Sequence, residues 1–157
     1  MTVSTDRDVL VSEVHIAAEP ERVFRALIDP AQVPQWWGQK GVYRCQTYEA
    51  DLRVGGDWRM AGVGRDGGPF EVKGKFLDID LPRRLRYTWV ATWTGSVQTT
   101  VQWELTGTQD GTRITITHSG LAGHPELAQS YSGWPRLLAW LQVFLEKGET
   151  AEIRPAL

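Results

Sequence analysis

RLRYTWVATWTGSVQTTVQWELTGTQDGTRITITH, residues 84–118, is the stretch on which the fold turns. Leu85, Tyr87, Trp89, Ala91 and Trp93 alternate with Arg84, Arg86, Thr88 and Thr92. After a turn at Thr94-Gly95-Ser96, Val97, Thr99, Val101, Trp103 and Leu105 alternate with Gln98, Thr100, Gln102 and Glu104. A second turn, Gln109-Asp110-Gly111, leads to Ile114, Ile116 and His118, which alternate with Arg113, Thr115 and Thr117. A period of two with one apolar and one polar face predicts three antiparallel strands whose sheet has one side in water.

The same period runs weakly upstream. Residues 70–79 and 44–50 read as strands, with a Gly55-Gly56 turn and an RDGGP hairpin loop at 65–69 between them, and Trp58 and Met60 share a face. A first strand covers residues 9–16. Two short helices follow it. The first opens on Pro20 with Glu19 and Glu21 at its positive end and stops at Pro30, and the second covers residues 31–36. Downstream, Leu127, Tyr131, Trp134, Leu138, Leu141 and Leu145 form one helical stripe that Pro135 should kink or break near residues 132–134, with Gly148 as its stop. The predicted architecture is α+β, a curved antiparallel sheet of about six or seven strands wrapped around a long C-terminal helix, with two short helices after the first strand.

The chain has 157 residues, of which 41% are hydrophobic and 23% charged, which fits one folded domain over residues 9–148. Residues 1–8 read as a flexible N-terminus and 149–157 as a frayed tail. A formal net charge of −2 argues against a sequence-independent nucleic-acid binder. The single Cys45 excludes an internal disulfide framework. Neither a signal-peptide pattern nor a bilayer-long apolar run is present, so a cytoplasmic protein with no membrane partner is expected.

GxSxG, HExxH and closely spaced cysteines are all missing, and the glycines of GDWRMAGVG lack the context of a phosphate loop. Neither a metal nor a cofactor is therefore expected. His118 has inward parity and is the one catalytic candidate. It serves either as a base or ligand anchor, or as a strand-end histidine bonded to nearby backbone. His15 should face solvent, His124 lies in a loop, and Cys45 reads as a small buried hydrophobe. Glu13, Glu49, Asp51, Asp57 and Glu71 fall on strands or strand ends, where a solvated face outweighs a catalytic pair. The tryptophans, eight in all, are the positive signal. Inward rings either fill a core or line a cavity. The candidate lining is Phe24, Trp37, Trp58, Phe70, Tyr87, Trp89, Val101, Trp103, His118, Tyr131, Trp134 and Leu138. Trp36 and Trp93 are candidates for the cavity mouth or an exposed dimer patch, and strand 44–50 for a dimer edge.

AEPERVFRAL at 18–27, DPAQVPQWW at 29–37, DLRVGGDWR at 51–59, the GKFLDID and RLRYTW pair, GTRITITHSGL at 111–121 and GWPRLLAWLQVFLE at 133–146 occur in that order. Together they resemble the SRPBCC superfamily (START-like, birch-pollen-allergen-like), in the branch named after the C-terminal domain of the activator of the ninety-kilodalton heat-shock protein ATPase. The resemblance covers residues 9–148. It implies a helix-grip fold with a deep apolar cavity, in a family whose members bind lipids, polyketides or flavonoids and include aromatase/cyclases. In the eukaryotic activator a separate N-terminal domain precedes this one. Here about eight residues precede the first strand, so chaperone activation is not expected to carry over.

The expected function is binding of a small apolar or aromatic molecule, polyketide-, flavonoid- or lipid-like, between sheet and C-terminal helix, without catalysis. The alternatives are a cyclase- or hydrolase-type enzyme in the same cavity, and an interaction module for a stress or chaperone partner.

Overall fold

The computed structural model describes residues 9–39, 41–95 and 97–151. In chain order it holds β1 (Val9–Ile16), α1 (Pro20–Ile28), α2 (Val33–Trp36), β2 (Gly38–Gln39), β3 (Tyr43–Ala50), β4 (Asp57–Gly64), β5 (Pro69–Asp80), β6 (Arg84–Ala91), β7 (Gln98–Thr108), β8 (Gly111–Ser119), α3 (Pro125–Ser130) and α4 (Trp134–Lys147). The strands form a single curled antiparallel sheet in the order β1-β8-β7-β6-β5-β4-β3-β2. This is the expected α+β, helix-grip-like arrangement, with eight strands instead of six or seven. The extra strand is β2, whose two residues pair with Tyr43 and Arg44. Two residues are too short to leave a periodic signal. They also cover the start of β3, so the strand expected as a bare dimer edge is flanked there.

The clean alternation of 84–118 is what the sheet uses. Opposite one another on the inner face lie Leu85 and Trp103, then Tyr87 and Val101, then Trp89 and Thr99. On the other side Val101 faces His118, Trp103 faces Ile116 and Leu105 faces Ile114. Burial of these side chains supplies the main driving force of the domain. The β6 pattern ends one step sooner than the alternation implies. Thr92–Thr94 forms a short 3-10 turn that takes Trp93 out of the inner row. Ser96, in the same expected turn, lies outside the described residues.

α1 starts where Pro20 supplies a preset φ and ends at Asp29, before Pro30. The second short helix is confined to Val33–Trp36 rather than 31–36. The C-terminal stripe is broken, as Pro135 requires: α3 stops at Ser130, and α4 begins at Trp134 with Pro135 in its first turn. Gly148 ends α4 in the left-handed region at φ +71°, where its N–H reaches the Phe144 carbonyl.

The tail from 149 is corrected in part. Ala151 is fully buried and its N–H donates to the Gln35 carbonyl at 2.7 Å, tying the chain past α4 to α2. Residues 1–8 and 152–157 lie outside the described residues. No helix among the described residues is long and apolar enough to cross a membrane.

Candidate functional site

Helices cover only part of the concave face. α4 packs on β1 and against α2, and α1 packs on β7 and β8. Beneath them the inner rings are buried in one hydrophobic cluster. Trp103 donates its indole N–H to the Tyr87 hydroxyl at 2.9 Å, and burial holds that phenol above its ordinary pKa. Trp58 donates to the Thr88 carbonyl at 3.1 Å and stands against both Tyr87 and Trp89. Phe24, Val101 and Leu138 are likewise buried in this core. Phe24, Trp58, Tyr87, Val101, Trp103 and Leu138, expected on the cavity lining, are not among the residues of the cavity wall described next. Alternation told which face they take, and the helices bury that part of the face.

A cavity of about 460 Å³ opens where the helices leave β4, β5 and the end of β6 uncovered. Of the expected residues, the structure places Trp37, Phe70, Trp89, Tyr131 and Trp134 on its wall. It adds Tyr43 from β3, Met60 from β4, Val72 from β5, Leu137 from α4 and Trp93, with Gly64, Asp66 and Gly68 from the β4–β5 hairpin and Ser130 at the end of α3.

Adjacent rings meet nearly at right angles. The interplanar angle is 80° for Tyr43–Phe70, 87° for Phe70–Trp93, 65° for Trp93–Tyr131, 88° for Tyr131–Trp89 and 80° for Trp37–Trp134. Trp37 and Trp89 close the belt by stacking at 6.2 Å. The break between α3 and α4 turns Tyr131 and Trp134 onto this wall together. At the mouth, Trp93 is 49% exposed and donates its N–H to Ser130 Oγ at 3.0 Å. The placement of Trp93 there agrees with the sequence. Trp36 instead is fully buried, with its N–H on the Ala26 carbonyl at 2.8 Å, so its expected place at the mouth or on an exposed patch is corrected.

His118 lies behind the wall and off the cavity lining, caged by Tyr131 at 4.4 Å, Trp134 at 5.5 Å and Trp89 at 5.8 Å between ring centroids. Its partners are side chains, not the backbone group expected of a strand-end histidine. Trp134 donates its indole N–H to His118 Nδ1 at 3.1 Å. An indole N–H can only donate, so Nδ1 is unprotonated and Nε2 carries the hydrogen. Nε2–H then meets Thr99 Oγ1 at 2.7 Å, and Thr99 passes its own hydrogen to the Trp89 carbonyl at 3.3 Å. Burial pushes the imidazole down to a pKa of about 4. Both ring nitrogens are committed, which makes His118 a neutral crosspiece between β7, β8 and α4. The sequence carried one usable hint of this in Thr99, a polar residue at an inner position.

The remaining candidates are structural. Cys45 is buried, its thiol donates to the Thr47 carbonyl at 3.3 Å, and burial pushes its pKa up to about 12. Glu13, Asp51, Asp57 and Glu71 pair with Arg113, Arg53, Lys75 and Arg59 on the solvated face, and Glu49 is exposed. His15 faces solvent beside Thr108 and Asp110, and His124 lies 3.6 Å from Glu126. Among the described residues no group of three or more His, Cys, Asp or Glu could hold a metal ion.

The sequence matches the family model described as Activator of Hsp90 ATPase homolog 1-like protein over residues 17–146. No curated protein sequence matches it. Among solved structures, protein CV1439 from Chromobacterium violaceum superposes with a TM-score of 0.77 at 28% identity, covering 90% of this chain and 99% of that one. An AHSA1-like protein from Aeromonas hydrophila gives a TM-score of 0.73 at 24% identity over 95% and 99%. DynU16, a protein of the dynemicin biosynthetic locus, gives 0.73 at 24% identity over 92% of this chain and 49% of its own. The family match runs from just after β1 to the last turn of α4, which takes in the whole cavity wall. The chain belongs to the family of proteins like activator of Hsp90 ATPase homolog 1.

Proposed function

We propose that the chain binds a small, flat, largely apolar molecule, aromatic or polyketide- or flavonoid-like, in the cavity between β3–β6 and the start of α4. The observation that carries this reading is the belt of seven rings around about 460 Å³ of space. Pockets for drug-sized molecules run from roughly 300 to 1,000 Å³ and are mostly apolar with a few polar groups. The cavity holds a ligand of a few fused rings and is short for a long acyl chain. Trp37, Phe70, Trp89, Tyr131 and Trp134 are the proposed contacts, with the hydroxyls of Tyr43 and Ser130 at the margin. A cyclase- or hydrolase-type reaction with His118 as base would need the imidazole to give up Trp134 or Thr99, which favours binding over catalysis at that residue.

Titration of intrinsic tryptophan fluorescence with flavones, flat polyketides and fatty acids tests the proposal. Saturable quenching in the micromolar range by ring compounds is expected, and Leu137→Phe or, independently, Met60→Phe should abolish it by filling the cavity. Silence across the panel in a folded protein would overturn the reading and favour a surface for a protein partner.

A further inference from the structure

Among the described residues every indole but one gives its N–H to an acceptor. Trp36 and Trp58 donate to backbone carbonyls, Trp93 to Ser130, Trp103 to Tyr87 and Trp134 to His118. Trp140 donates to Gln39 Oε1 at 3.0 Å, and the Trp37 N–H serves the Tyr43 hydroxyl oxygen. The exception is Trp89. It is 4% exposed, its Nε1 is closed to solvent, and no protein group takes its hydrogen. Trp89 is also a wall residue of the cavity.

Its surroundings cannot supply the missing acceptor. Five rings stand around it: Trp134 at 5.5 Å, Trp58 and His118 at 5.8 Å, Tyr131 at 5.9 Å and Trp37 at 6.2 Å between centroids. An indole nitrogen only donates, which excludes the three tryptophans. Both nitrogens of His118 are committed, and the Tyr131 hydroxyl is turned to Thr94 Oγ1 at 3.4 Å. Ring faces are weak acceptors for an N–H. A buried donor left unmatched costs free energy, and folded proteins rarely keep one without a use. The rest of the wall leans the same way. The hydroxyls of Tyr43 and Ser130 each accept an indole N–H, which leaves each a hydrogen to offer. The carboxylate on the lining, Asp66, stands on the exposed hairpin with its Oδ1 on the Gly68 N–H.

We infer that the ligand carries a carbonyl oxygen on its flat body and that this oxygen accepts the Trp89 Nε1–H. Trp89 is then the residue that orients the ligand and selects acceptor-bearing rings over plain hydrocarbons. This rests on the ligand-binding reading above and narrows its chemistry to ketones, quinones and flavone-type rings. Because the nitrogen is closed to solvent, the oxygen reaches it as a covering ring turns aside. The exchange gives a buried donor its first partner and breaks no hydrogen bond of Trp89. A hydrocarbon of the same outline gains area alone. A ligand that offers only a donor sets N–H against N–H.

The test uses three flat tricycles of one outline: fluorenone, which bears a carbonyl, fluorene, with a methylene in its place, and carbazole, with an N–H there. Each is titrated by tryptophan fluorescence, and the Trp89 indole proton is followed by NMR, assigned by its loss in Trp89→Phe. Fluorenone is expected to bind about tenfold tighter than either twin. It should move the Trp89 indole proton downfield, and fluorene should not. In Trp89→Phe the three should bind alike. Benzothiophene in place of the Trp89 indole keeps the bicyclic shape without the N–H, and gives the same comparison should the phenylalanine variant not fold. Equal binding to the wild type, or a preference for fluorenone that survives loss of the N–H, overturns the inference and leaves the ligand site standing. Tighter binding of carbazole overturns it as well. If none of the three binds while the ring compounds of the previous section still quench, the inference again falls alone. Loss of every signal removes both.

Discussion

Protonating His118 would set its Nδ1–H against the Nε1–H of Trp134, two donors 3.1 Å apart with no acceptor between them. The folded protein therefore holds the imidazole neutral, with a pKa of about 4 against 6.5 in the open chain. Because the unfolded chain binds the proton first, this contribution to stability is complete above pH 6.5. It falls as the pH drops from 6.5 to 4 and is level below that. The slope is about 1.4 kcal/mol per pH unit and the total about 3 kcal/mol. His118→Leu leaves the buried Trp134 N–H without its acceptor and Thr99 Oγ1 without the hydrogen it accepts, and should cost about 2 kcal/mol at pH 7. Urea midpoints measured for both proteins from pH 7.5 to 4 should show the gap closing as acid is added. A gap independent of pH would mean that His118 is not held neutral. That this residue points inward was legible from parity alone. Its partners were not, because Thr99 is 19 residues away and Trp134 is 16, and only the finished β7–β8 register and the start of α4 bring them together.

Strand β5 shows how an element makes room for a ring from its neighbour. Gly74 faces inward, opposite Trp58, and a Cβ there would stand 1.8 Å from the Thr88 carbonyl oxygen and 2.7 Å from Trp58 Nε1. The Trp58 indole occupies the place where a side chain would be and donates to that same carbonyl. The β5–β6 ladder adapts locally, with the Lys75 N–H going to Thr88 Oγ1 at 2.8 Å. Gly74→Ala should cost about 3 kcal/mol, since both close contacts belong to groups that cannot swing away. Thermal and urea unfolding measure this directly, and a loss below about 0.5 kcal/mol would show that the strands shift freely. Elements were the most readable level of this sequence. Residues 84–118 and the stripe through Leu141 and Leu145 carry strong periods, and Pro135 announced the helix break. What escaped were features shorter than a period: the two residues of β2, the early end of β6 at Ala91, and the wall position of Leu137 beside the expected Leu138.

At the scale of the molecule, parity sorts residues to the inside, and the arrangement of the helices then sorts the inside into core and cavity. Trp103 and Trp89 look alike in sequence, each at an inner position of a neighbouring strand. One lies in the filled core and the other borders open space, because α1 and α4 stop short of β4 and β5. That division depends on helix placement across the whole sheet, so no local pattern encodes it. Tyr43 was missed for a related reason, since β3 begins one residue earlier than the alternation indicated.

The indoles also form one connected mesh. Trp36, Trp37, Trp89, Trp58, Trp134 and Trp103 are linked by centroid separations of 5.1 to 6.4 Å. Electronic excitation hops between indoles this close well within their emission lifetime, so light absorbed by any of the six is shared. Emission from the native protein should then be strongly depolarised when excited in the middle of the absorption band. It should regain polarisation at the red edge, where only the lowest-energy indole absorbs and transfer fails. A wavelength-independent anisotropy would show the rings to be optically isolated. If transfer operates, Trp89 on the cavity wall acts as a drain for the whole mesh, and one bound quencher silences indoles it never touches.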